Sequence, residues 1–153
     1  MASASRTPLR PQETSTLYWL AVSLTPGLGP TRARRMLEHF GGVAAIFRAS
    51  LTELEAAGIK ALSAQSLATG KSLELASEEL ERINAAGVTV LGLEEPGYPP
   101  QLRQIYDPPI ILYIRGDAAL LPTPSIAMVG TRHPSPYGTG MAERLATDLA
   151  TRG

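Results

Sequence analysis

Apolar residues recur at helical spacing through the first half of the chain, and the spacing changes after residue 87. Leu17 to Leu24 (LYWLAVSL) reads as an apolar helix running into the turn TPGLGP. From Thr31 to Phe40, Ala33, Met36, Leu37 and Phe40 share one face and arginines the other, and Gly41-Gly42 ends the run. Val43 to Arg48 forms a short helical piece. Ser50-Leu-Thr-Glu53 fits a capping box and opens a helix through Ala56, and Gly58 breaks it. Ser63 to Ala86 predicts one long helix, with Leu67, Leu73, Leu75, Leu80 and Ile83 among its apolar positions and Gly70 as its weak point.

Strand signals follow. Val88 to Leu91 predicts a short strand, Pro96 to Pro100 a turn, Gln101 to Ile105 a helical turn, and Ile110 to Ile114 a buried strand stopped by Arg115-Gly116. Residues 118–124 read as a loop. A further strand over 125–129 runs into Gly130, and a helix covers Thr139 to Thr151. The pattern predicts an α/β chain with an N-terminal all-α domain. Residues 1–15 form a polar, disordered arm, residues 16–86 the helical domain, and residues 87–153 the start of a sheet domain. Gly153 falls at a helix stop, and a parallel sheet needs partners on both sides, so the sheet domain is expected to be truncated here.

The densest chemistry lies in Ser125-Ile-Ala-Met-Val-Gly-Thr-Arg-His-Pro-Ser-Pro-Tyr-Gly138. Strand, glycine turn and helix start is how an α/β protein builds an anion cradle, because the first N–H groups of a helix are unpaired and its dipole favours negative charge. Arg132 adds a fork suited to phosphate oxygens. The segment therefore points to a nucleotide or a nucleic-acid backbone, with Gly130, Thr131, Arg132, Ser135 and Gly138 as its residues. It carries neither the dinucleotide GxGxxG nor a GxxxxGK[ST] loop. The competing explanation is an ordinary turn whose glycines only relieve strain.

Composition narrows the classes. The 153 residues carry 44% hydrophobic side chains and a formal net charge of zero, so a globular chain is expected and any nucleic-acid site must be local. The charge is uneven. Residues 1–52 hold Arg6, Arg10, Arg32, Arg34, Arg35 and Arg48 against Glu13 and Glu38, while acidic residues dominate 53–85. Cysteine is absent, which excludes disulfides and thiolate metal sites. Two distant histidines, His39 and His133, make a metal site a poor fit. No apolar run reaches a membrane span, and the N-terminus has no secretory h-region, so a cytoplasmic, non-membrane protein is expected.

Leu24-Thr-Pro-Gly-Leu-Gly-Pro-Thr-Arg-Ala33 sets Gly27 and Gly29 between two helices, the pattern of a helix-hairpin-helix. Such a turn presents backbone N–H groups to DNA phosphates, with Arg32 and Arg35 adding charge. A tight helix corner used for packing or protein contact fits the same residues. Tyr18 and Trp19 read as core, His133 as an exposed turn residue, and Asp107 and Asp117 as turn formers. No Ser/His/Asp set, carboxylate pair or metal cluster is visible.

GYPPQLRQIYDPPIILYIRGD followed by SIAMVGTRHPSPYGTGMAERLATDLATRG resembles the DNA-processing protein A family, DprA, also called Smf. The blocks YPxxL, DPPxxLxxRG and VG[ST]Rxx[ST]xYG appear in order over roughly residues 88–153. The N-terminal part is similar to the sterile-alpha-motif-like (SAM-like) or helix-hairpin-helix domain that often precedes the family's core. The resemblance implies a cytoplasmic bacterial protein with an extended Rossmann-like core. It implies a homodimer that binds and protects single-stranded DNA and helps load the RecA recombinase in natural transformation, with no cofactor and no catalysed reaction. It places Gly130, Thr131 and Arg132 on the phosphate-binding turn, completed by Ser135 and Gly138. The family's later SGxAxGID segment is not in these residues. The alternative class is a nucleotide-handling enzyme that cleaves nucleoside monophosphates, whose PGGxGTxxE signature is also absent here.

Overall fold

Four consecutive buried residues, Trp19, Leu20, Ala21 and Val22, make the first helix a central one, because four successive positions sweep nearly the whole circumference. The computed structural model describes residues 11–152. The chain divides into two compact units, Met1–Pro122 and Thr123–Gly153. Among the described residues there are eight helices, a short 3-10 turn and a small two-stranded antiparallel sheet, a helix-rich α/β chain.

In the first unit, α1 (Pro11–Ser23) packs against the helices that follow. Part of the arm expected over 1–15 is therefore helical. Ser15 explains the extension, since its hydroxyl donates to Glu95 Oε1 at 3.2 Å and ties the early turns down. Residues 1–10 of that arm lie outside the described residues. Then α2 (Pro30–Phe40) buries Ala33, Met36 and Leu37, and Gly41 stops it in the left-handed conformation, with φ +75°. Next come α3 (Val43–Ile46) and α4 (Leu51–Ala56). In α4 both halves of the expected capping box form: the Glu53 N–H donates to Ser50 Oγ at 3.3 Å, and the Ser50 N–H to Glu53 Oε2 at 2.7 Å.

The long helix expected over 63–86 is two helices, α5 (Ala61–Ala68) and α6 (Lys71–Ala85). Gly70, at φ +79°, breaks the right-handed ladder between them. A chain of buried hydroxyls joins this corner to the end of α1. Thr25 Oγ1 donates to the Ala21 carbonyl at 2.7 Å and lies 2.9 Å from Ser72 Oγ, which lies 2.8 Å from Ser66 Oγ. Nearby, Ser63 donates to the Pro26 carbonyl at 2.7 Å. No buried side-chain polar atom among the described residues lacks a partner.

The strands β1 (Thr89–Gly92) and β2 (Ile111–Ile114) pair antiparallel, with Thr89 opposite Ile114 and Gly92 opposite Ile111. The short helix α7 (Pro100–Arg103) lies in their connection. The sheet completes the helical core rather than opening a separate one. Val90 is buried with Leu20, Ala21, Ala76 and Ile83, and Leu93, Tyr98 and Ile110 join the cluster around Trp19. Gly92 is required by that packing, since a Cβ there would fall inside the Trp19 indole.

The second unit holds the run 125–130 and α8 (Pro136–Ala150). The strand expected over 125–129 carries no ladder: the run is irregular, and with no strand pairing along it the backbone has nothing to register against. No described residue of this unit is buried, and Val129 is 94% exposed.

Candidate nucleic-acid interface

Ser135 builds the start of α8. It is the N-cap, its hydroxyl accepts the Gly138 N–H at 3.2 Å, and its carbonyl accepts the Thr139 N–H at 3.0 Å. Pro136 at the first helical position has no N–H. The helix start therefore offers an incoming anion the Tyr137 N–H, fewer donors than an uncapped terminus would. Upstream, Thr131 Oγ1 accepts the His133 N–H at 3.3 Å, which braces the turn and leaves the Thr131 hydroxyl hydrogen available to donate.

Gly130, Thr131, Ser135 and Gly138 line one cavity of about 490 Å³, and Glu143 stands on its wall. Arg132 lies outside that lining. It is exposed, with no hydrogen bond or ion pair to a described residue. Strain does not explain the glycines: neither Gly130 nor Gly138 has a positive φ, and the space beside Gly130 is open. An acidic side chain in the cavity wall and a free guanidinium outside it set the local field. Glu143 disfavours an anion against its stretch of the cavity wall, while the α8 terminus and the exposed Arg132 are features of this unit that attract one.

The hairpin turn in the first unit is differently furnished. Gly27 does need its left-handed φ of +74°, whereas Gly29 is an ordinary extended N-cap before Pro30. Leu28 between them is buried. At the first turn of α2 the Thr31 hydroxyl donates to Asp107 Oδ1 at 3.3 Å, so a carboxylate of this chain already stands beside that terminus. Arg32 and Arg35 are exposed and form no ion pair with a described residue. Arg34 is engaged, donating to the Tyr106 carbonyl at 3.0 Å and lying 3.8 Å from Glu38. The two glycine segments belong to different units, and the structure assembles each by itself.

Two roles were not visible in the sequence. Tyr98 is buried, and its hydroxyl donates to the Pro109 carbonyl at 2.7 Å, clasping the GYPP and DPP blocks together. Burial pushes its phenol up from the ordinary value, with the Arg103 guanidinium, 5.6 Å over the ring, acting against it. Asp107, expected as a simple turn former, anchors that same loop to α2. Trp19 is core, as expected, and Tyr18 stacks on Phe47 at 4.8 Å. Among the described residues no group of three or more histidine, aspartate or glutamate side chains could hold a metal ion, and no helix is long and apolar enough to cross a membrane.

Residues 89–153 match the family model described as DNA recombination-mediator protein A. Over that segment the chain is similar to the DprA/Smf family. It is similar to the DNA processing protein DprA of Bacillus subtilis, 35% identical over 80 residues that make up 49% of this chain and 27% of that protein. It is also similar to Protein Smf of Synechocystis sp., 27% identical over 143 residues, 89% of this chain and 35% of the relative. The chain thus spans about a third or less of the curated relatives it matches. No solved structure matches it significantly. The matched segment contains both the Tyr98 to Pro109 clasp and the turn from Gly130 to Gly138.

Proposed function

We propose that this chain is part of a recombination mediator that binds single-stranded DNA. The observation that carries the reading is the unpaired Arg132 just ahead of the Ser135-capped start of α8, in a segment matched by a family described as a DNA recombination mediator. In this reading residues 16–86 are the SAM-like or helix-hairpin-helix module and residues 87–153 open the Rossmann-like DNA-processing domain. The protein works without a cofactor and is not an enzyme. As a cytoplasmic homodimer it protects incoming DNA and helps load RecA during natural transformation.

At the site, Arg132 takes two oxygens of one phosphate, with the Thr131 hydroxyl and the Tyr137 N–H donating to the same or the next phosphate. The α8 dipole adds attraction, and Glu143 disfavours phosphate against its stretch of the cavity wall. These are backbone contacts and read no sequence.

The test is binding of the full-length protein that carries this chain to labelled single-stranded and duplex oligonucleotides across a salt series. Losing a charge-assisted contact of about 1.5–3 kcal/mol, Arg132→Ala should bind at least roughly tenfold more weakly. Its log–log salt slope should fall by about one. A folded wild-type protein that binds no single strand would overturn the reading. An assay for free base released from a nucleoside monophosphate would then test the enzyme alternative.

A further inference from the structure

The loop between α7 and β2 turns Ile105 and Tyr106 outward, and Tyr106 is 95% exposed. A single exposed apolar side chain is ordinary. The way the backbone beneath this one is held is less so. Arg34 Nη1 holds the Tyr106 carbonyl at 3.0 Å, and Thr31 holds the next side chain, Asp107, at 3.3 Å. Pro108 is then buried, and the Pro109 carbonyl takes the Tyr98 hydroxyl. The ring stands in solvent on a base fixed at successive residues, so presenting it costs little further ordering.

The residues holding that base also set what lies beside it. Thr31 and Arg34 are one turn apart on α2, and the same stripe continues to Arg35, with Arg32 flanking it. Arg32 and Arg35 are exposed and unpaired among the described residues. The acids near this surface include Asp107, held by Thr31, Glu38, near Arg34, and Glu94, which shares a cavity wall with Arg34 and Pro108. An exposed aromatic ring on a loop tied to the helix that carries two unpaired arginines matches the chemistry of an unpaired base and its flanking phosphates.

We propose that Tyr106, with Arg32 and Arg35, is a second contact for single-stranded DNA, in which a base stacks on the ring and the adjoining phosphates meet the arginines. The proposal rests on the DNA-binding reading above but uses a different surface from the Gly130 to Gly138 turn. It also moves the contact from the glycines of the hairpin to the loop that α2 supports. A duplex keeps its bases stacked inside and cannot use the ring, so the contact is selective for single strands.

The experiment titrates the full-length protein and its Tyr106→Ala, Tyr106→Phe, Arg35→Ala and Arg132→Ala variants with labelled oligothymidylate over a salt series, with circular dichroism confirming that each is folded. Tyr106→Ala should bind roughly tenfold more weakly at an unchanged salt slope, because stacking releases no counterion. Tyr106→Phe, which keeps the ring, should restore most of the loss, and Arg35→Ala should lower the slope by about one. Tyr106→Ala binding as the wild type does, while Arg132→Ala is impaired, would overturn this proposal and leave the first reading standing. Wild-type protein that binds no oligothymidylate would overturn both.

Discussion

Gly92 shows how one residue is constrained from far along the chain. The Trp19 indole lies where its Cβ would be, and Trp19 is itself 1% exposed in the centre of the first unit. Gly92→Ala should therefore lower stability by about 3 kcal/mol, the upper end for an overpacked site, read as a shift in the urea midpoint. The loss should be less than additive with Trp19→Leu, which makes room for the methyl group. Additive losses would mean that the two residues do not meet. Nothing local in the sequence marked Gly92, which closes an alternating run and opens a turn, its carbonyl accepting the Glu95 N–H at 3.0 Å, without needing a positive φ. The Tyr98 to Pro109 bond was hidden for a similar reason: the family blocks were legible as blocks, but which atom of one meets which atom of the other is a property of the folded loop.

Elements were legible where a local signal dictates them. The capping box at Ser50 is one, and it carries its own pH dependence. The Ser50 backbone N–H first, and the Ser50 hydroxyl second, hold the Glu53 carboxyl below its ordinary value, with slight burial opposing them. A lowered folded value means that this contribution is present above the ordinary glutamate value and is lost as pH falls through the folded one. Ser50→Ala removes the hydroxyl and should cost about 1 kcal/mol near neutral pH. The gap in urea midpoint between wild type and variant should narrow in acid, and a gap indifferent to pH would refute the assignment. The split at Gly70 was half legible: the glycine marked a weak point, but only the adopted φ of +79° makes it a break. The run 125–129 has a strand's composition without a ladder, because composition supplies side chains for a pleat but not a neighbour to bond to. Within the candidate site, the turn and its residue types were readable. Ser135's hold on the Gly138 N–H, and the place of Glu143 on the cavity wall, depend on where α8 starts, at Pro136 rather than Thr139.

At the scale of the whole molecule the two units differ in kind. The first has a hydrophobic core that helices and sheet share, and the second buries none of its described residues. A peptide of residues 123–153 should accordingly show gradual loss of far-UV circular dichroism on heating, since a 15-residue helix without a packed face is marginal in water. A sigmoidal melt would contradict this. The buried hydroxyls of the first unit have the opposite character. Thr25 has one hydroxyl hydrogen, and it goes to the Ala21 carbonyl. Ser72 must then donate to Thr25, and Ser66 to Ser72, so the series has one polarity. A backbone oxygen near the end of α1 thereby sets which way a hydroxyl points on α6, 47 residues on from Thr25, and through it one on α5. The hairpin turn that starts at Thr25 is thus wired to its support in a single protonic direction.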